Sequence, residues 1–361
     1  MIKVVLDATH FQTATPTGVE RYTDAILPLL SDELVRQKVG VYWVGNQERK
    51  PMGLPDGVQW IHSPHTLWWS QRGLVKTLKE LKPNLYFTPS GIAPLQSPCP
   101  TVMTVHDLSV YHAPSAYTLG QRIRLMYFNR LAAQRAALVI VPSHAVAKDC
   151  QTFWNINPQK ICVVPHGYYA GTSLPKMDSP TPTVLFVGRV EKKKNLSVVM
   201  KAWELVQPKH PFKLIIAGGP GYGWKSIYHQ SRIVAQKYPE RIVFTGRITE
   251  DARRRYMASA WALVVPSPYE GFGLPVLEGF DAKTPVICAE AGSLPEVGGK
   301  AVLYADPYDE QQWAKQIEQL IENPEKRRQL RRLGTERLRH YRWEVSAKET
   351  ALAILKTIDQ R

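Results

Sequence analysis

The chain has 361 residues, 44% of them hydrophobic and 21% charged, with a formal net charge of +15. That length is too great for one ordinary hydrophobic core, so two domains are expected. No apolar run approaches the roughly 20 residues needed to span a bilayer, which excludes an integral helical membrane protein, and the balanced composition excludes a disordered one.

The opening M-I-K-V-V-L-D-A reads as a buried strand, interrupted by Asp7 too soon for a signal peptide. From there, short runs rich in β-branched residues alternate with helical patterns. The predicted strands of the first half are Lys3–Leu6, Val39–Val44, Leu85–Phe87, Thr101–Val105, Leu138–Val141 and Ile161–Val164. Those of the second half are Thr183–Val187, Lys213–Ala217, Ile242–Thr245, Ala262–Val265 and Val286–Cys288. Such alternation predicts α/β architecture with parallel sheets covered by helices on both faces. Residues 170–182, rich in Pro, Ser and Thr and without periodicity, read as a linker. The expected division is therefore 1–170, a linker at 171–182, 183–340, and a final helix in 341–361 that crosses back to the first domain. Cys99, Cys150, Cys162 and Cys288 are scattered, with no C-x-x-C pair and no His at ligand spacing. This points to reduced cytoplasmic thiols and against zinc or disulfides.

Two segments concentrate positive charge. One holds Arg122, Arg124, Arg130 and Arg135 on a predicted amphipathic helix with Leu125, Met126, Phe128 and Leu131; the other runs from Lys326 to Arg342. Each is either a solvated helix face or a contact for an anionic membrane surface. No nucleic-acid-binding module accompanies them.

In open parallel sheets, ligands bind beyond the carboxyl ends of the strands. The unusual residues of this sequence fall there: Asp7 followed by T-P-T-G-V-E-R-Y, His106-Asp107, P-H-G at His166, G-R-V-E-K-K-K-N, G-G-P-G, G-R-I, and P-S-P-Y-E-G-F-G. The stretch E-G-F-G-L-P-V-L-E, residues 270–278, carries the most chemistry. Its glycines and Pro275 forbid helix interior, and Pro275 suits a first helical turn. Glu270 is thus expected on a loop after the strand A-L-V-V, and Glu278 in the opening turn of the next helix. The pair can accept hydrogen bonds from sugar or ribose hydroxyls, and the helix start can hold phosphate. A hydrolase with two carboxylates flanking one bond is the competing reading on spacing alone.

The set G-R-x-x-x-K-K-N, F-T-G, E-G-F-G-L-P-V-L-E and G-S-L-P-E-V, in this order, resembles the family 4 retaining glycosyltransferases, with G-V-E-R-Y and H-D-L as looser marks in the first half. The resemblance implies a GT-B fold: two Rossmann-like domains facing across a central cleft, the first for the acceptor and the second for a nucleotide sugar. It implies that Arg189 and Lys194 grip the donor diphosphate, without a metal or other cofactor, while Lys192 and Lys193 are solvated. Glu278 would hold the ribose and Glu270 the donor sugar, which removes the hydrolase reading. Gly188, Phe272, Gly273 and Leu274 would offer backbone groups, Arg247 and Ile248 would line the base, and Gly18 would allow close approach to phosphate. His106 would contact the donor sugar from the first domain, and Asp107 would face the acceptor or orient its loop. His166 reads as structural, and Trp68 and Trp69 as sugar-stacking or packing residues. No residue stands out as a nucleophile or general base, so the implied mechanism is same-face displacement assisted by the leaving phosphate. Implied partners are a nucleotide sugar, weakly GDP-mannose ahead of UDP-sugars, and a glycan or lipid-linked saccharide acceptor, without nucleic acid; the location expected is cytoplasmic, with the net charge of +15 open to a peripheral contact at the inner membrane face. A non-catalytic nucleotide-sugar or glycan binder is the alternative.

Overall fold

The computed structural model describes residues 1–13, 18–64, 68–171, 174–238 and 240–360. Within these, thirteen strands form two sheets in which every pairing is parallel.

The first unit comprises Met1–Tyr111, Leu119–Gly167 and Arg342–Arg361. Its sheet has the order β3-β2-β1-β4-β5-β6-β7. The strands are β1 (Lys3–Asp7), β2 (Gly40–Gly45), β3 (Val58–His62), β4 (Leu85–Thr88), β5 (Thr101–Thr104), β6 (Leu138–Val141) and β7 (Ile161–Val163). The order reverses between β1 and β4, which opens a crevice at their carboxyl ends. The helix Gly18–Arg36 covers one face through Ile26, Leu27, Leu30 and Leu34. The last helix, Trp343–Asp359, belongs to this unit: Trp343, Ala347, Ala351 and Ile354 share the buried cluster of Val4, Leu6 and Leu27. Ser346 Oγ donates to the Pro165 carbonyl at 2.6 Å, fixing where that helix enters.

The second unit comprises His112–Thr118 and Tyr168–Tyr341. Its sheet runs β10-β9-β8-β11-β12-β13, built from β8 (Thr183–Val187), β9 (Lys213–Ala217), β10 (Ile242–Gly246), β11 (Ala262–Val265), β12 (Val286–Ala289) and β13 (Leu303–Ala305). Here the switch point lies between β8 and β11. The central strands are buried end to end, as parallel strands covered on both faces must be.

Two strands, β3 and β13, have no counterpart in the sequence reading. Both are sheet edges: β3 is broken by the polar Gln59 and His62, and β13 is only three residues long, too short to stand out as a run. The proline-rich stretch after residue 173 lacks regular structure yet is not loose. Met177 N donates to Ala258 O at 3.1 Å and Ser179 N to Ser259 O at 2.9 Å. Lys176 Nζ reaches Ala260 O and Thr284 Oγ1, and Asp178 is paired with Arg331. Burial pulls the Lys176 pKa down to about 8, against the opposing effect of Asp178. Part of the segment expected as a linker is thus tied along the second unit.

Candidate functional site

In the second unit the candidate residues gather at the switch point. The loop after β8 begins with Gly188, whose φ of 148° is one that L side chains rarely adopt. A Cβ on Gly218 would lie 1.8 Å from the Gly188 carbonyl oxygen, so glycine at 218 lets the two loops touch. Gly188 N donates to Ala217 O at 3.0 Å, and Val190 bridges to Pro220. This bracing leaves Arg189 exposed, with no ion pair to any described residue.

Lys192–Lys194 form one 3-10 turn, ended by Asn195 in a left-handed conformation (φ 50°). Asn195 Nδ2 donates to Pro307 O, which anchors the turn. Lys194 Nζ then meets Glu270 Oε1 at 2.6 Å, both side chains being partly shielded from solvent. Lys192 is exposed as expected. Lys193 is not simply solvated: it is half-buried and pairs with Glu191 at 3.6 Å.

Glu270 is held from behind. Its carbonyl accepts from Ser293 Oγ at 2.8 Å. Gly292, at φ 57°, has a conformation that side chains rarely adopt, and a Cβ there would press on Glu270 O and N at 3.0 and 3.1 Å. The G-S of G-S-L-P-E-V therefore serves as a brace for the glutamate loop. Beside Glu270, Tyr269 stacks on His112 with ring centroids 3.9 Å apart.

The helix Leu274–Asp281 starts on Gly273 at φ 104°, with Pro275 in its first turn. Glu278 is the fifth residue of that helix, so it sits in the second turn, not in the opening one. Its carboxylate is paired with Arg253 of the helix Glu250–Ser259. Arg253 also meets Glu250 at 3.0 Å. Burial pulls the Arg253 pKa down, but the Glu278 and Glu250 carboxylates more than offset this and leave it raised. Sequence reasoning missed Arg253, because E-D-A-R-R-R reads as a solvated charged face. Each glutamate thus has its own cation, one on each side of the turn. Phe272 is buried and packs on Tyr341, so only its backbone can serve a ligand. Leu274 and Ile248 are half-buried against the core, and Arg247 is exposed next to Gly219.

The first unit presents a second group of candidates. Asp7 ends β1 buried, accepting from Thr9 N, Thr9 Oγ1 and Tyr86 OH at 2.6–2.9 Å, so its role is to fix the crevice wall. The helix of G-V-E-R-Y begins at Gly18, where an added Cβ would meet no atom within 4 Å; protein packing does not demand glycine there. Residues 14–17 of the preceding loop lie outside the described residues. Tyr22 packs edge-on against His106 at 4.8 Å, joining the two sequence marks of this half.

His106 Nε2 lies 2.7 Å from the Pro89 carbonyl, and Nδ1 lies 3.2 Å from His166 Nε2. A carbonyl only accepts, so Nε2 carries the proton and Nδ1 accepts from His166. Both ring nitrogens are therefore engaged, and a sugar hydroxyl reaching His106 would displace one of these bonds. His166 is structural in the sense expected: it is buried and stacks on Trp343. Asp107 is exposed, and its Oδ1 accepts from Ser109 N and Oγ at 2.9 and 2.6 Å, which orients the loop. A cavity of about 140 Å³ opens beside His106, Asp107, Asn129 and Trp154. Trp69 packs, with Nε1 bonded to Ser63, whereas Trp68 is exposed.

Burial lowers the His106 pKa, and burial plus the neighbouring His106 lowers that of His166 well below the ordinary 6.5. Below pH 6.5 the unfolded chain then binds protons that the folded chain refuses, so stability falls as pH falls. We expect thermal unfolding to show a loss of up to about 1.4 kcal/mol per pH unit per histidine below pH 6.5. His166→Phe, which keeps the stack on Trp343, should flatten that slope; an unchanged slope would place the titrating groups elsewhere.

Residues 16–169 match the family model Glycosyltransferase Family 4, and residues 175–337 match Glycosyl transferases group 1. The chain is a family 4 glycosyltransferase. The "O-antigen chain mannosyltransferase B" of Escherichia coli is 25% identical over 84% of this glycosyltransferase and 80% of its own length. The "O-antigen chain mannosyltransferase RfbU" of Salmonella typhimurium is 24% identical over 62% of the chain; the match spans only 61% of that relative. Among solved structures, sucrose-phosphate synthase of Thermosynechococcus elongatus superposes with a TM-score of 0.75 at 20% identity, with all of both chains covered. Anabaena HepE, solved with UDP and glucose, gives 0.70 at 18% identity over 99% of each chain. The glycosyltransferase therefore has the GT-B fold, with two Rossmann-like domains.

Proposed function

We propose that this glycosyltransferase moves mannose from GDP-mannose to a hydroxyl of a growing glycan or lipid-linked saccharide, with retention of anomeric configuration. The observation that carries this reading is the Lys194–Glu270 pair at the switch point, on the same post-β8 segment as the exposed Arg189. The bond from C1 to the diphosphate breaks as the acceptor oxygen bonds C1 on the same face, and the acceptor proton passes to the leaving phosphate oxygen. Negative charge rises on that phosphate, and fixed cations at Arg189 and Lys194 would stabilise it. Glu270 would hold the sugar hydroxyls, and Glu278, oriented by Arg253, the ribose. The names of the two mannosyltransferase relatives support the choice of sugar. The four cysteines are free thiols, which supports a cytoplasmic setting.

Thermal unfolding with GDP-mannose, UDP-glucose and ADP-glucose tests the donor. A nucleotide at 100 times its Kd stabilises by roughly 2.7 kcal/mol, a rise of about 5 °C or more for domains of this size. The expected result is that rise with GDP-mannose and its loss in Arg189→Ala. A rise with UDP-glucose alone would move the assignment to UDP-sugars. A rise with no transfer to any acceptor would make the protein a binder.

A further inference from the structure

One surface of the first unit holds none of the candidate residues described above. Leu119–Ile123 is α-helical, Arg124–Phe128 forms a π turn, and Asn129–Arg135 is α-helical again. The sequence pattern predicts an apolar face of Leu125, Met126, Phe128 and Leu131. In the fold, Leu125, Met126 and Leu131 are half-buried and Ala132 and Ala133 seal the inner side. The outward apolar residues are Leu119, Ile123 and Tyr127, which are 70%, 50% and 63% exposed. They recur every four residues, so they form one stripe along the helix. Phe128, 40% exposed, meets Tyr127 edge to face at 5.5 Å and widens it.

Arg124 and Arg130 are exposed on the same stretch. From Leu108 to Lys148 the chain has no Asp or Glu, while it carries Arg122, Arg124, Arg130, Arg135 and Lys148. Apolar side chains between arginines, on a run of chain without an acid, suit a surface that offers hydrocarbon and negative charge within one helix width; the exposed Asp107 lies at the cavity beside the half-buried Leu125 and Asn129. Arginine stems lie along the apolar stripe while their heads reach outward. A nucleic acid would satisfy the cations but leave Leu119 and Ile123 in water.

We propose that the Leu119–Arg135 stretch docks the first unit onto an anionic bilayer surface, lying in the interface with Leu119, Ile123, Tyr127 and Phe128 below the headgroups. No helix among the described residues is long and apolar enough to cross a membrane.

The test uses the full chain and co-sedimentation with phosphatidylcholine vesicles, with and without phosphatidylglycerol. Binding is expected only with phosphatidylglycerol, and should weaken as salt rises. The double variant Arg124→Gln/Arg130→Gln should weaken it roughly 20- to 30-fold. Leu119→Ser/Ile123→Ser, with all charges intact, should weaken it as clearly, and Tyr127→Trp should shift its emission to the blue on binding. All substituted residues face solvent, and circular dichroism of each variant checks the fold. Absence of binding to anionic vesicles would overturn the proposal, as would binding that ignores the Leu119→Ser/Ile123→Ser change. Self-association lost in that same variant, without vesicle binding, would assign the stripe to a second copy of the chain instead.

Discussion

Replacing Glu270 with alanine is expected to lower kcat/KM by about 10²- to 10³-fold, the scale seen when a group acting on the transition state is removed, while the melting temperature moves by only a few degrees. Stability should survive because the Glu270 side chain is not part of the core. It meets Lys194 across a partly solvated gap, and pairs of that kind contribute about 1 kcal/mol or less. The loop itself is set by Ser293 and Gly292, which hold Glu270 through its backbone. Activity should collapse because the same carboxylate both positions Lys194 and faces the proposed sugar. Lys194→Ala should then cost much less in the Glu270→Ala background than in the wild type, as coupled residues do. Steady-state kinetics on the four proteins of the cycle measures this. Additive losses would mean that the two side chains act separately, and full activity in Glu270→Ala would remove the site assignment.

Gly167→Ala is expected to destabilise the first unit by about 3 kcal/mol or more, since overpacking against backbone is among the costly substitutions. A Cβ at 167 would lie 2.2 Å from Trp343 N and 2.4 Å from its Cα. Neither is the movable end of a side chain, so the last helix would have to shift. That shift would draw Trp343 away from His166 and Tyr22, whose rings pack on it. At roughly 2–4 °C per kcal/mol, the melting temperature should fall by about 6–12 °C. A change within 2 °C, measured by calorimetry on folded protein, would show that the helix entry yields cheaply.

Much of this architecture can be read from the chain because central parallel strands must be apolar along their whole length. Leu85–Thr88, Thr101–Thr104, Ala262–Val265 and Val286–Ala289 are buried at every position, and each announces itself as a short β-branched or aromatic run. Edge strands escape that rule: Val-Gln-Trp-Ile-His at 58–62 carries polar residues because one side has no partner. The places of candidate residues were legible where a turn forced them, as with Glu270 on its loop and Pro275 in the first helical turn. They were not legible where only tertiary register decides. Nothing local to Arg253 shows that it will face Glu278 twenty-five residues later. Nor does a lone glycine say what will press against it: Gly218 and Gly292 reveal their purpose only through the carbonyl of Gly188 and the backbone of Glu270. His106 shows the same limit from another side, because its two hydrogen bonds come from Pro89 and from His166, sixty residues away.

The last helix has a consequence for biosynthesis. Trp343, Ala347, Ala351 and Ile354 complete a core whose other members lie before residue 165. On a ribosome adding roughly 5–20 residues per second, the two parts are made about 10–35 s apart. Throughout that interval the nascent first unit presents an unfilled apolar groove over Ile26, Leu27 and Leu30, while the second unit is synthesised in between. The unit made first is therefore the one whose core is completed last, and the groove awaiting Trp343 is where a chaperone would hold the growing chain.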